Sequence, residues 1–488
     1  MGIVRFNVDK IFSSFFYKFL QTTSAQVIQF IVSLILARLL TPEEYGIQAL
    51  LLVFINIANI FIQSGFSTAL VQKLDADEKD FSTVFWATSG VAFVAYFVLF
   101  FCAPFISEFY SMNATKYLRV LGLVLFPGAV VSIQLAKISR EMRFKSLLKS
   151  SLLGVIISGI VGISMAYKGF GVWALIFQQI TNQVVNCIVL FFVVAWYPRF
   201  IFSVERFKKL FSFGWKLLCS GLLNSLYNDL QNLVIGKKYN ASVLGLYTRG
   251  QQFPNVLISN IDGSINSVML PALAQVQEHK DIAKNLMRRA IKTSSYIVWP
   301  MMIGLAVVAE PTVRLILTDK WLGCVPYLQI MCITYAFMPI HTSNLQAINA
   351  MGRSDVFLQL EIVKKIYGIA ILSIAVFCFK SPLAIAVSGV VGGLIGTFVN
   401  ASPNKKIMDY SYFEQLKDIL PCILLSVVMG VAITPLASVI QSDILLLFCQ
   451  ILLGVIIYIA LSALFRIDAF LYLWNKGIGI WREHKRGA

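Results

Sequence analysis

Two lysines interrupt apolar stretches of this chain at related positions. Residues 15–26 read FFYKFLQTTSAQ and residues 213–224 read FGWKLLCSGLLN, so Lys18 and Lys216 occupy matching surroundings 198 positions apart. The same offset pairs Thr22 with Ser220, Gln26 with Asn224, Gln29 with Tyr227 and Ser33 with Gln231. Steps of three and four residues place each set on one face of a helix, as a polar stripe headed by a cation. Such a stripe is costly against lipid, because nothing there satisfies its hydrogen bonds. Both stripes are therefore expected to face a common groove. Two lysines across a groove can attract an anionic group such as a pyrophosphate, each acting as a compact point charge. The competing role for each is snorkelling to the interface from a position close to its helix start.

Other ionisable residues fall inside the apolar runs, where a functional role is the first hypothesis. Arg249 stands beside Gln251 and Gln252 and is read either as a cavity cation or as an interfacial one. Asp229, two residues from Tyr227, is a candidate for coupling to a proton or a sodium ion, or a partner for Lys216 or Arg249. Glu361 and Lys365, with Lys364 alongside, have i,i+4 spacing and are expected to neutralise each other, as are Glu310 and Arg314. His341 reads as a hydrogen-bonded interior histidine, with a proton relay as the alternative. Arg38, Glu43 and Glu44 belong to a solvated loop. Eight cysteines, nearly all within apolar runs, form no CxxC and no Cys/His cluster, and three histidines are scattered, so neither a metal cofactor nor a disulfide framework is expected. Clustered carboxylates of the kind that glycan-cleaving or glycan-joining enzymes use are also missing, so the chain is not expected to be an enzyme.

The elements that must hold these residues are membrane helices. Hydrophobic residues make up 58% of the 488 and charged ones 13%, with a mean hydropathy of +0.76. Soluble domains carry about twice that share of charge, so lipid is the expected solvent. Reading for apolar runs of about 20 residues gives fourteen predicted segments, near 12–38, 45–70, 81–104, 117–137, 147–167, 171–196, 207–235, 243–272, 289–316, 325–350, 356–378, 382–402, 413–438 and 442–466. The segment 243–272 is polar, and its assignment rests partly on the repeat. The first run continues from Ile11 to Leu40, beyond the length of a signal-peptide core, and is read as an anchor. The net charge of +17 could suggest a nucleic-acid partner, but the basic residues recur in short clusters between apolar runs. Lys137–Arg140–Arg143–Lys145–Lys149, Arg206–Lys208–Lys209, Lys280–Lys284–Arg288–Arg289 and Arg482–Lys485–Arg486 all fall on one side, which predicts that both termini are cytoplasmic. These clusters are also expected to meet anionic lipid headgroups.

The repeat extends past the stripes: LLTPEEYGIQAL (39–50) matches KYNASVLGLYTRG (238–250), pairing Gly46 with Gly245. An offset that spans six helices predicts two halves of like orientation, related by an axis along the membrane normal. The expectation is an all-α integral membrane protein with about 14 transmembrane helices, two pseudo-symmetric six-helix bundles plus two C-terminal helices. Its boundaries are drawn at 1–200, 201–405 and 406–488. Prolines at 104, 127, 254, 271, 300, 339, 421 and 435 are expected to kink helices so that the bundles can bend.

The segment LARLLTPEEYGIQALLLVFINIANIFIQSGFSTALVQK (36–73) resembles the opening of bacterial polysaccharide exporters of the multidrug/oligosaccharidyl-lipid/polysaccharide exporter superfamily. ISREMRFKSL (138–147), LPALAQVQEHKD (270–281), DKWLGCVPYLQIM (319–331) and NLQAINAMGRSD (344–355) continue the likeness in family order. It is specific to the oligosaccharide-flippase branch, with colanic-acid and lipopolysaccharide-type exporters foremost. The resemblance implies two six-helix bundles in a V around a cavity. It also implies passage of an undecaprenyl-pyrophosphate-linked oligosaccharide across the bacterial inner membrane by alternating access, for cell-surface polysaccharide. Membrane lipids and other polysaccharide-assembly proteins are the implied partners. Cations of the first, second, seventh and eighth segments line the cavity in that family, which points to Lys18, Lys216 and Arg249. The second segment departs from the pattern: it has no Lys or Arg within 47–72, and Gln48, Asn56, Asn59 and Gln63 would stand in as neutral donors. The rival readings are a cation-coupled multidrug or metabolite antiporter, which would draw on Asp229 and Asp262, and a membrane glycan polymerase or glycosyltransferase.

Overall fold

The computed structural model describes residues 8–476 apart from 64, 74, 142 and 144, and the side chains of these apart from residues 8–19, 146 and 213. Every regular element among the described residues is helical, and packing divides the chain into two units, Met1–Gly245 and Leu246–Ala488. The first holds α1 (Val8–Leu39), α2 (Pro42–Gln63), α3 (Phe66–Gln72), α4 (Glu78–Phe109), α5 (Thr115–Leu121), α6 (Leu125–Glu141), α7 (Lys145–Tyr167), α8 (Val172–Val194), α9 (Val204–Lys238) and the start of α10 (Ala241–Ala274). The second holds the rest of α10, α11 (Lys280–Val307), α12 (Ala309–Leu317), α13 (Val325–Ala336), α14 (Met338–Ala350), α15 (Ser354–Cys378), α16 (Pro382–Ala401), α17 (Asn404–Met408), α18 (Tyr412–Ile433), α19 (Leu436–Val439) and α20 (Asp443–Leu464). This is a division by packing, whereas the boundaries at 200 and 405 divide the chain by sequence similarity.

Twelve segments among the described residues are helical, long and apolar enough to cross a bilayer, and the polar 243–272 is among them as Ala241–Ala274. Two of the fourteen predicted segments, 207–235 and 356–378, are passed over by that criterion. They are α9 and α15, of 35 and 25 residues. At 1.5 Å per residue they reach roughly 50 and 37 Å, enough for a hydrocarbon core of about 30 Å. Length is not what they lack. α9, with Lys216, Asp229 and several amides, is polar along its length, whereas α15 is as apolar as α2 but carries three charges, Glu361, Lys364 and Lys365, within one membrane-length stretch.

Local chemistry sets the helix ends. Thr41 and Glu44 cap α2 reciprocally: the Glu44 carboxylate accepts from the Thr41 N–H at 2.7 Å, and Thr41 Oγ1 accepts from the Glu44 N–H at 3.4 Å. Asp77–Asp80 on α4 and Ser411–Glu414 on α18 form the same box. Several predicted helices are broken. The run 325–350 divides at Phe337, just before Pro339, whose missing N–H is harmless only in a first turn. The run 45–70 divides at Gly65, whose φ of 73° suits glycine. Pro104, Pro254, Pro271, Pro300 and Pro421, in contrast, lie inside helices.

Each unit buries its own core. In the first, α2 contributes Leu51, Ile55, Ala58 and Ile62, which meet Ala92 and Ala103 of α4, Leu118 and Leu121 of α5 and Ile176 of α8. In the second, Ala283, Met287 and Ile291 of α11 meet Ile340 and Ala347 of α14 and Ile419 of α18. The outer surface is apolar too: Phe97, Phe101 and Phe105 of α4, and Phe448, Ile451 and Val455 of α20, are all exposed. In water such patches would drive aggregation; in a bilayer they are solvated by lipid tails.

Backbones approach closely within the first unit at several glycines. A Cβ on Gly46 would lie 2.5 Å from the carbonyl carbon of Ala241, and one on Gly245 would lie 3.0 Å from the Gly46 nitrogen. The residues that the repeat pairs, Gly46 and Gly245, thus meet where the first turns of α2 and α10 touch. A Cβ on Gly65 would lie 2.8 Å from the Gly214 carbonyl carbon, so α9 is pressed against the α2–α3 corner in the same way.

Candidate functional site

The stripe on α9 follows from how that helix packs. Gly214, Gly221 and Gly236 face α2 and its neighbours: Gly221 lies against Ile60 and Gly236 against Leu50. At 3.6 residues per turn, Lys216, Ser220, Asn224, Tyr227 and Gln231 fall on a different face. Lys216, Ser220 and Asn224 are exposed there, and Tyr227 and Gln231 are half-buried. Lys216 has no carboxylate within ion-pair distance among the described residues. Asp229 is off the stripe, on the flank that turns toward α2, where Ser225 donates to it at 3.4 Å and Asn232 at 3.3 Å.

The matching stripe on α1 lies beside the face that packs on α7. Val32 fills the space above Gly159 of α7, and Gln21 donates to Ser151 Oγ at 3.0 Å. Of the stripe residues, Thr22 is exposed, and Ser33 donates back to the Phe30 carbonyl at 2.8 Å. Gln26 and Gln29 are half-buried, and their side-chain oxygens are buried without a hydrogen-bond partner among the described residues. Buried acceptors of that kind are rare and costly, so each calls for a donor from a ligand or from water. The side chain of Lys18 lies outside the described residues. Of the neutral residues of α2, Asn56 and Gln63 are exposed and Gln48 and Asn59 half-buried.

A further amide cluster in the first unit escaped the sequence reading. Asn182, Gln183 and Asn186 of α8 point into the bundle. Asn186 donates to Asn182 Oδ1 at 2.7 Å, and a Cβ on Gly154 of α7 would lie 2.7 Å from Asn186 Nδ2. Asn59 and Gln183 both stand 3.4 Å from the position a Cβ would take on Gly128. The signal was present as TNQVVN (181–186) inside an otherwise apolar helix. Neutral amides of this kind suit sugar hydroxyls, which both donate and accept.

In the second unit Arg249 is 2% exposed. It donates to Gln252 Oε1 at 2.5 Å, and its guanidinium lies 5.2 Å from the ring centroid of the buried Trp321. Gly250 makes this possible, since a Cβ there would strike the Leu328 nitrogen at 2.8 Å. Deeper in α10, Asp262 accepts from Thr342 Oγ1 and, at 3.4 Å, from Asn266; Gln346 donates to Asn266 at 2.6 Å. No basic side chain lies within ion-pair distance of Asp262 among the described residues. On α15, Glu361 pairs with Lys364 at i,i+3, where the spacing had pointed to Lys365. His341 is hydrogen-bonded to Asn400 at 3.0 Å, as an interior histidine should be. Glu310 and Arg314 pair at 2.8 Å, joined by Asp319 and Asp443. An apolar furrow of about 550 Å3 runs along α11, α18 and α20, lined by Ile297, Pro300, Met301, Met429, Ile451 and Val455 among others. No cluster of three or more His, Cys, Asp or Glu able to hold a metal occurs among the described residues. The described residues of the site are cations, carboxylates with neutral donors, neutral amides and apolar surface, groups that can bind and orient a ligand.

Residues 35–326 match the family described as "Polysaccharide biosynthesis protein". The teichuronic acid biosynthesis protein TuaB of Bacillus subtilis is 24% identical over 421 residues, 84% of this chain and 86% of that protein. The succinoglycan biosynthesis transport protein ExoT of Rhizobium meliloti is 23% identical, over 69% of this chain and 68% of its own. The lipopolysaccharide biosynthesis protein WzxC of Escherichia coli K12 is 21% identical, over 79% and 77%. Among solved structures, the lipid II flippase MurJ in an inward closed conformation superposes with a TM-score of 0.76 at 16% identity, over 92% of this chain and 98% of that one. An inward-facing multidrug transporter of the MATE family does so with 0.61 at 15%, over 79% and 96%. These two likenesses establish the fold.

Proposed function

Because the chain belongs to the polysaccharide biosynthesis protein family, a branch of polysaccharide flippases, we propose that it carries an undecaprenyl-pyrophosphate-linked oligosaccharide between leaflets of the bacterial inner membrane by alternating access. Both termini are placed in the cytoplasm by this proposal, on the strength of the basic clusters. The pyrophosphate is drawn to Lys18 and Lys216, and the sugar hydroxyls pair with Thr22, Gln26, Ser220, Asn224 and Tyr227. The observation that carries the reading is Lys216, exposed on a polar stripe of a long helix with no carboxylate beside it among the described residues. A bare cation is costly in a membrane protein unless an anion visits it. The orphaned oxygens of Gln26 and Gln29 support the sugar contacts, since a hydroxyl is the donor they lack. Buried in the second unit against Trp321, Arg249 is given a supporting role. The apolar furrow along α11, α18 and α20 offers the isoprenoid tail a surface of matching polarity. The repeat boundaries near 200 and 405 are proposed as the two halves that rock.

The test is complementation of a strain that has lost its exporter. Lys18→Ala/Lys216→Ala is expected to insert normally and to abolish surface polysaccharide; normal surface polysaccharide from that double variant removes the clamp. A second reading, a cation-coupled antiporter of the same superfamily, is favoured by Asp262, a half-buried carboxylate held by the neutral donors Thr342 and Asn266 with no basic partner among the described residues. Proton or sodium coupling at Asp262 or Asp229 is compatible with either cargo. Dye efflux from expressing cells, abolished by Asp262→Asn, would favour the antiporter.

A further inference from the structure

A pocket of about 490 Å3 opens in the second unit between α11 and the helical stretch 468–476, and its wall is basic. Arg288, Arg289 and Lys292 line it from α11, with Asn285 and Thr293 among them and Tyr472 opposite. Two of the three cations already have partners. Arg288 grips the buried Asp418 through Nε and Nη2, both at 2.6 Å. Lys292 lies 3.5 Å from Asp418 and 3.0 Å from Asp468, the one acid on the pocket wall. Arg289 is exposed and has no carboxylate within ion-pair distance among the described residues. Its guanidinium sits 4.8 Å from the Tyr472 ring centroid, and the Lys476 ammonium 5.4 Å from the same ring. Lys476, with Arg289 behind it, holds the Tyr472 hydroxyl below its ordinary range, a sign of positive potential at the pocket mouth.

The surroundings are those of a headgroup layer. Arg288 and Arg289 stand where the charged first turns of α11 give way to the apolar run that crosses the membrane. Tyr472 and the largely exposed Trp474 are the ring types that settle at the membrane–water boundary. A basic pocket between helices at that depth is built for a lipid phosphate. We propose that it binds the phosphodiester headgroup of an anionic phospholipid such as phosphatidylglycerol, with Arg289 as the principal cation and Asn285, Thr293 and Tyr472 as neutral donors. One uncompensated arginine suits a monoanion of the bulk bilayer; a pyrophosphate would bring more charge than the pocket balances. None of these residues takes part in the transport reading, so the two stand or fall separately.

Native mass spectrometry of the full chain, titrated with phosphatidylglycerol, phosphatidylcholine or undecaprenyl phosphate, tests it. The intact protein is expected to take up one phosphatidylglycerol at about tenfold lower concentration than phosphatidylcholine, equivalent to about 1.4 kcal/mol. Arg289→Ala should erase that preference. Arg289→Lys should keep part of it, and Lys149→Ala, an exposed cation elsewhere, should leave it intact. Arg289 contributes nothing to the core, so its removal leaves the fold in place. Three results would overturn the proposal: equal uptake of the two phospholipids, a preference unchanged in Arg289→Ala, or undecaprenyl phosphate displacing phosphatidylglycerol at equal mole fraction.

Discussion

Gly46→Ala is the substitution whose cost the structure fixes most closely. The new Cβ would stand 2.5 Å from the Ala241 carbonyl carbon and nearer still to its oxygen. Carbon atoms in contact sit at about 3.5–4.0 Å, so the first turns of α2 and α10 must part by about 1 Å. The obstacle is backbone on both sides, with no flexible side-chain end to yield. Overpacking typically costs about 1–3 kcal/mol, and a backbone clash belongs at the upper end, about 3 kcal/mol. For a unit of this size each kcal/mol moves the melting temperature by about 2–4 °C, so a fall of roughly 6–12 °C is expected. Thermal unfolding of the purified protein in detergent reads it directly. Gly90→Ala is the control, since a Cβ there meets nothing within 4 Å. If Gly46→Ala melted with the parent protein, the contact between α2 and α10 would be wrong, and with it the meeting of repeat-paired glycines.

Three further outcomes follow from the same geometry. Gln29→Leu removes a buried oxygen that has no partner, so the melting temperature should hold or rise while glycan export falls roughly two- to tenfold, the worth of one neutral hydrogen bond; equal losses of both would make Gln29 structural. Asp418→Asn takes from Arg288 its counter-ion, while Lys292 keeps Asp468, and should cost about 1–3 kcal/mol in thermal unfolding, discounted because Arg288 is 45% exposed; a neutral result would show the pair to be ornamental. Partial burial pushes the Asp77 carboxyl upward, but the Arg206 guanidinium and the N–H groups of Asp80 and Lys79 outweigh it and hold it at about 2, against an ordinary 3.8. A carboxyl lowered in the folded state stabilises above its unfolded value and loses that contribution as pH falls from about 4 to 2, so Asp77→Asn should flatten that stretch of the acid-stability curve.

Much of the architecture was legible because lipid enforces long apolar runs, and charge clusters punctuate them. The runs 45–70 and 325–350 each correspond to one membrane-length segment, but the helix breaks inside them were not legible. A hydropathy reading passes over Pro339 or Gly65, since each breaks a helix through backbone chemistry while leaving the neighbourhood apolar. The Lys216 stripe was readable because periodicity survives in an isolated helix and the repeat supplied a second copy. Asp262 with Thr342, and Asn59 with Gln183, were not, because each joins residues from different helices. Arg249 shows the limit most clearly. Its position in the sequence left a cavity and an interfacial role open, and packing adds what neither showed, a guanidinium buried against Trp321 and Gln252.

Reconstituting the purified chain in vesicles and timing the passage of a fluorescent undecaprenyl-pyrophosphate oligosaccharide tests the cationic clamp most directly. Losing one charged contact is worth about 1.5–3 kcal/mol, so Lys216→Ala should slow passage by roughly 10- to 150-fold, and Lys216→Arg should restore much of it. Unchanged passage in Lys216→Ala, or an equal loss in Lys216→Arg, would contradict the claim that a bare cation on α9 receives the pyrophosphate.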